Sequence, residues 1–215
     1  MSQADLEHSR MMEKEGIPLM ACQVRQAARL MARAFYDDPF FTFVLPDGDR
    51  RRIILLWLFE KTVRYGQRYG KVYTTASLEG IAMWLGPQKP VLEWTGTLLT
   101  GLFLLPLKLS RQELGKSLRL ANSARKLHEQ SITGQHWYLV ELGVEPARQG
   151  DGVGGALLQP VLARADQESQ ACYLDTNNEL NIPFYERYGF RLAGTAHAIQ
   201  SGPKTWGMLR EPGYS

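Results

Sequence analysis

The stretch Val144-Glu145-Pro146-Ala147-Arg148-Gln149-Gly150-Asp151-Gly152-Val153-Gly154-Gly155 decides how this chain folds. Upstream of it, Trp137 to Val144 reads as a strand of aromatic and aliphatic residues. Downstream, Gly152 to Gln167 reads as a helix with Val153, Leu157, Leu158, Val161 and Leu162 on its apolar side. The glycines between them let the backbone turn its N–H groups toward an oxyanion and remove the Cβ atoms that would block close approach. The helix N-terminus adds unpaired donors and partial positive charge, roughly 0.3–1 kcal/mol per anionic interaction at an exposed site. That is a physical recipe for holding phosphate. A tight strand-to-helix turn would also use glycine, but Gly150, Gly152, Gly154 and Gly155 crowded at one helix start favour the binding reading.

Working outward, Ala171 to Leu174 is a second strand with Asp175 at its end. Ile182 to Tyr188 is a short helix, and Phe190 to Ala198 with Thr205 to Leu209 form a closing pair of strands. In the other direction, Gln23 to Phe35 has helical apolar spacing and stops at the turn Asp37-Asp38-Pro39. A second helix fits Arg50 to Arg68. Lys71 to Thr75 and Ile81 to Leu85 are strands joined at Ser77-Leu78-Glu79-Gly80. Val91 to Leu127 is mostly helical, with interruptions expected near Pro106 and Gly115. Helices first, then strand, loop, helix and strand, predict an α/β chain with a mixed sheet and helices on both faces. A length of 215 residues suits one such domain over 1–215.

Composition narrows the function. Hydrophobic and charged fractions of 44% and 22% are those of an ordinary soluble protein, and a net charge of +3 gives no case for nucleic acid. Arg50-Arg51-Arg52 opens a solvated helix face. Cys22 and Cys172 lack ligand spacing, and His8, His128, His136 and His197 form no sequence pair, so no metal is expected. Ser2 to Glu15 lacks the apolar core of a signal peptide, and Thr97 to Leu109 falls short of the roughly 20 residues a membrane span needs. No membrane partner is expected, and the expected location is cytoplasmic.

Two phosphate-bearing cofactors fit the loop. Gly150, Gly152 and Gly155 satisfy G-x-G-x-x-G, with Asp175 placed like the ribose-binding acid of a dinucleotide site. That fold needs several further parallel strands, for which little chain remains. The other reading comes from two motifs in order. Gln149-x-x-Gly152-x-Gly154 resembles the Q/R-x-x-G-x-G/A signature of the GNAT acetyltransferase superfamily. Asn181-Ile182-Pro183-Phe184-Tyr185-Glu186-Arg187-Tyr188-Gly189-Phe190 resembles that superfamily's helix-to-strand segment. From about Trp137 to Pro212 the chain is especially similar to the puromycin N-acetyltransferase group, through Trp137-Tyr138-Leu139, Asn181 to Arg187 and Thr205-Trp206. Residues 20–130 resemble it thinly and are the expected acceptor side.

The resemblance implies a GNAT-like fold whose mostly antiparallel central sheet splays between Trp137–Val144 and Ala171–Leu174. It implies acetyl-CoA as cosubstrate, with the pantetheine arm against the backbone of Leu142, Gly143 and Val144. The pyrophosphate would lie on Arg148, Gln149, Gly150, Asp151, Gly152, Val153, Gly154 and Gly155. Asp151 stands where relatives often carry a cation, and is expected to face solvent. Tyr185 matches the superfamily's usual acid, which returns a proton to the thiolate. Asn181 either contacts the cofactor or caps its helix.

Glu141 is the carboxylate of interest for a base. Read by strand alternation it shares a face with Trp137 and Leu139, about 10 Å before the strand ends. A carboxylate there is costly unless paired or functional, and burial would raise its pKa toward a useful range. Base, contact for a cationic substrate, and structural partner of an arginine all stay open. Asp37 and Asp38 read as solvated turn acids that could meet an amine. The expected activity is acetyl transfer from acetyl-CoA to a primary amine of a small molecule. A non-catalytic acyl-CoA-binding module and a nicotinamide-dependent oxidoreductase are the alternatives. The apolar stretch Val91 to Leu120 suggests a roofed acceptor pocket or a homodimer surface.

Overall fold

The computed structural model describes residues 16–88 and 100–213. Their sheet has seven strands: β1 (Ile17–Pro18), β2 (Lys71–Thr74), β3 (Gly80–Leu85), β4 (His136–Val144), β5 (Ala171–Thr176), β6 (Arg191–Ala196) and β7 (Thr205–Arg210). The spatial order is β1-β2-β3-β4-β5-β7-β6, with β4 and β5 parallel and every other pair antiparallel. The mostly antiparallel sheet expected from sequence is present. A single parallel pair is not the run of parallel strands a dinucleotide fold requires, which removes the nicotinamide alternative.

Helices cover both faces. On one lie α1 (Val24–Ala34), α2 (Pro39–Val44), α3 (Gly48–Tyr69) and, after a short α4 (Leu105–Lys108), the long α5 (Arg111–Ser131). On the other, α6 (Val153–Gln167) packs on β3 to β5, followed by the short α7 (Ile182–Glu186). The first face buries Leu30, Met31, Leu55, Phe59, Ile81 and Met83; the second buries Ala82, Trp84, Trp137, Leu139, Leu157 and Val161. Ile81 and Met83 alternate with Ala82 and Trp84, as a strand buried on both sides must.

Element ends are set by local chemistry. Asp38 caps α2 by accepting from Phe40 N–H at 2.9 Å, ahead of Pro39 in the first turn. Ser110 and Glu113 form a reciprocal capping box that starts α5. The expected break at Gly115 does not occur. It falls instead at Leu109-Ser110, since a strong cap outweighs one interior glycine costing about 1 kcal/mol. Asn181 sits at the N-cap position of α7, but its side chain makes no capping bond: it donates to Thr176 Oγ1 at 3.3 Å, while Asn178 accepts from Leu180 N–H. The expected helix over residues 91–99 lies outside the described residues.

Candidate active site

Pairing between β4 and β5 runs from His136 with Ala171 to Leu139 with Leu174 and then ends, although β4 continues to Val144 and β5 to Thr176. The two central strands therefore splay, and among the described residues the end of β4 beyond Leu139 lacks a strand partner on that side. Glu145 N–H bonds Glu79 C=O on the β3 side at 2.8 Å. By alternation the N–H groups of Val144 and Leu142 point the other way, into the opening. Strand register thus supports the exposed backbone expected at Leu142 and Val144. Gly143 serves packing instead. A Cβ there would press on Met31 and Phe35, so its glycine lets α1 approach the sheet.

At one end of the opening stands the glycine loop. Gly152 is the N-cap of α6 with φ 83°, and Gly150 has φ 89°, conformations that penalise any side chain. A Cβ on either would meet nothing within 4 Å, so open space lies in front of the loop. The N–H groups of Val153, Gly154 and Gly155 are first-turn donors with no carbonyl inside the helix to bond. The residues fit a bound pyrophosphate. Gln149 donates from Nε2 to Val144 C=O at 3.3 Å, tying the loop to the end of β4. Asp151 is exposed as expected, and its carboxylate is matched by Arg148 at 3.1 Å, which also pairs with Glu79 at 2.9 Å. Not every expected loop residue offers its surface to a ligand. The Val153 side chain is buried in the core, and a Cβ on Gly155 would overlap the Tyr188 hydroxyl, so that glycine admits Tyr188.

Across the opening lies a group of acids. A bulge between β3 and β4 pairs Met83 with Glu141 and Trp84 with Leu139, leaving Val140 as the extra residue. The bulge overturns the alternation read from sequence. Trp137 and Leu139 face α6, whereas Glu141 turns to the face of Met83, Gly143 and α1. Glu141 keeps partial exposure there, yet burial, then Asp38 and Asp175, push its carboxyl up to about 8. No arginine pairs with it among the described residues, which removes the structural ion pair as its explanation.

Asp38 is half-buried rather than solvated, and burial raises it to about 6 despite the N–H of Phe40 and Phe41. Asp37 is exposed. Asp175, read from sequence as a ribose acid, accepts a hydrogen bond from the Tyr138 hydroxyl at 2.9 Å, and burial raises its carboxyl. Sequence reasoning missed Tyr138 and this role of Asp175. The available signal was a carboxylate ending the strand parallel to the one that carries Glu141.

Tyr185, 7% exposed, packs edge-on against Phe184 and Phe190, so part of its role is packing. Burial first, then Glu141, Asp175 and Asp38, raise its hydroxyl. Glu141 and Tyr185 therefore both lie in the field of Asp38 and Asp175. Behind them, His128 and His136 meet with Nε2 atoms 2.7 Å apart, and His128 stacks on Tyr173. Scattered in sequence, these two are neighbours in the fold; no group of three or more potential ligands occurs among the described residues.

Residues 117–192, which carry β4, the loop, α6, β5 and α7, match the model of the acetyltransferase (GNAT) domain. Over that stretch the chain is similar to GNAT acetyltransferases. An uncharacterized N-acetyltransferase of Schizosaccharomyces pombe is 27% identical over 196 residues, spanning 87% of this chain and 79% of that protein. The GNAT fold recurs in a Corynebacterium glutamicum structure described as histone acetyltransferase HPA2 and related acetyltransferase. That match has TM-score 0.64 and 20% identity over 94% of this chain and 97% of the other. Arylalkylamine N-acetyltransferase 2 of Aedes aegypti superposes with TM-score 0.60 and 13% identity over 92% and 98%. Polyamine N-acetyltransferase of Drosophila melanogaster, which forms N-acetylagmatine, superposes with TM-score 0.57 and 12% identity over 91% and 98%. These GNAT neighbours share the fold. No helix among the described residues is long and apolar enough to cross a membrane.

Proposed function

We propose that this chain transfers an acetyl group from acetyl-CoA to a primary amine of a small molecule by direct attack on the thioester. The observation that carries the reading is the splay after Leu139 and Leu174, with a glycine-rich helix start at one end and Glu141, Asp38, Asp175 and Tyr185 around the other. When bound, acetyl-CoA supplies an acyl group already activated as a thioester.

The chain's residues divide the remaining work. Loop and first-turn N–H groups hold the pyrophosphate, and Leu142 and Val144 offer backbone groups to the pantetheine arm. An attacking amine must be neutral, and most primary amines arrive protonated. Glu141, poised at about 8, takes that proton, and a base near the working pH is the efficient choice. The neighbouring Asp38 and Asp175 favour a cationic acceptor before it is deprotonated. N–H groups of the splayed strand face charge developing on the carbonyl oxygen. The Tyr185 hydroxyl shares a proton with the departing sulfur. Amine acceptors named for two of the fold neighbours agree with the acidic character of the opening.

The test is thiol release from acetyl-CoA across a panel of amines, antibiotics and peptides, with Tyr185→Phe and Gly152→Asp alongside. Tyr185→Phe should lower kcat about 10²-fold with little change in KM for acetyl-CoA, whereas Gly152→Asp should raise that KM at least about tenfold. Tight acetyl-CoA binding without turnover on any acceptor would favour the non-catalytic acyl-CoA-binding module. No binding at all would remove the loop assignment.

A further inference from the structure

Away from the splay, a second concavity of about 490 Å³ lies between α2, α5 and the connection from β6 to β7. Its wall is one face of α5, where Arg111, Gln112, Gly115, Lys116 and Arg119 recur at helical spacing. Phe43 of α2 forms another wall, and Ile199 and Ser201 close the third side. Among the described residues, three cations line this cleft and no carboxylate does.

The manner in which these cations are held matters more than their number. Lys116 donates to Phe43 C=O at 3.0 Å and lies over the Phe43 ring at 4.5 Å. Arg119 donates to Ala198 C=O at 3.2 Å. Both are oriented by neutral groups, so their positions are fixed while their charges are not cancelled. Arg111 makes no ion pair among the described residues. The nearby acid in sequence, Glu113, is spent on Arg50 and the Ser110 N–H. Gly115, at the middle of the cationic face, leaves open space: a Cβ there would meet nothing within 4 Å. The far wall is also built in, since Gly202 packs against the Phe43 ring and Ala198 and Ile199 pack on the core. Guanidinium groups with donors to spare, an ammonium and room between them match a carboxylate or phosphate.

Its position ties it to the acids. Asp38 at the start of α2 acts electrostatically on Glu141, and Phe43 near the end of the same helix forms the cleft wall. Five residues at 1.5 Å rise place the two about 8 Å apart along the helix. We propose that this cleft is an anion-binding subsite for a carboxylate or phosphate group. One source of that group is the far end of the amine acceptor, an arm that rests on the function proposed above. The other is a free anion bound beside the acceptor as an effector.

The test is binding of inorganic phosphate to the full chain by calorimetry at low ionic strength, in the presence of saturating coenzyme A so that the glycine loop is filled. Two variants accompany the wild type. Arg111→Gln with Arg119→Gln removes two charges from exposed positions. Gly115→Asp places a carboxylate in the open space without steric conflict, in a helix where aspartate is no worse than glycine. Either change should weaken phosphate binding at least about tenfold, with coenzyme A affinity and thermal midpoint unchanged, as the loss of charge-assisted hydrogen bonds predicts. Rates with ω-aminohexanoate against hexylamine then separate the sources. If the wild type prefers the amino acid and the variants lose that preference, the anion belongs to the acceptor. If phosphate binding is lost and acceptor preference stays the same, it is a separate anion. Phosphate binding that is absent from the wild type, or equal in all three proteins, overturns the subsite. Because the phosphate measurement needs no turnover, that failure is distinct from failure of the transferase reading.

Discussion

Replacing Glu141 by Gln keeps the side chain's volume and removes its charge, which separates what the carboxylate contributes to reaction from what it costs the fold. Burial, then Asp38 and Asp175, raise this group from 4.5 to about 8. A carboxyl with a raised folded pKa binds more protons in the native than in the unfolded state between those two values. Its stability contribution is therefore intact below about 4.5 and is lost as pH rises through about 8. The full displacement corresponds to at most about 5 kcal/mol. Glu141 keeps some exposure, so a gain of roughly 1–2 kcal/mol for Glu141→Gln at alkaline pH is the expected size. Activity should move oppositely. Loss of a general base lowers kcat/KM about 10²–10⁴-fold and abolishes the ascending limb near pH 8. Urea unfolding at mildly acidic and mildly alkaline pH measures the first effect. Thiol release against an acceptor of known amine pKa measures the second. Parallel stabilities for the two proteins across that range, or an unchanged limb in the variant, would refute the reasoning.

Two other positions make separate predictions. Arg210, 3% exposed, donates twice to Asp166 at 2.8 and 2.7 Å and once to Tyr188 C=O. Asp166→Asn removes the charge that accepts two hydrogen bonds from that buried guanidinium, and should cost about 3 kcal/mol in chemical unfolding, with a loss under about 1 kcal/mol counting against the pair. His128 is buried against His136, and burial lowers it to about 4 from 6.5. The unfolded chain takes up this proton first, so wild-type stability should fall as pH drops from 6.5 toward 4. His128→Phe, which keeps a ring to stack on Tyr173, should flatten that slope by up to about 3 kcal/mol over the interval. An identical slope in both proteins would show that other groups set the acid sensitivity.

The loop was legible because it is local. Gly150 and Gly152 declare positive φ through residue type, and a helix N-terminus a few residues after a strand end fixes where the N–H groups point. The Asn181 to Phe190 string was legible as a motif, and it placed Tyr185 in a short helix. Glu141 was found for a sound reason, a carboxylate in an apolar strand, but its face was misread. A bulge adds a residue to one strand relative to its partner, and nothing within residues 136–144 reveals what β3 does opposite them.

What the sequence by itself determined is therefore the glycine-rich turn, the order of strands and helices, and most element boundaries, all products of contacts within a few residues. Tertiary structure alone decided which side of β4 Glu141 occupies, that Asp38 and Asp175 join it, that Tyr138 holds Asp175, and that α5 turns its cations toward Phe43. Those arrangements depend on pairing between segments distant along the chain. Register and long-range burial are properties of the assembled sheet, set when β3, β4 and β5 meet and the two middle strands part after Leu139 and Leu174.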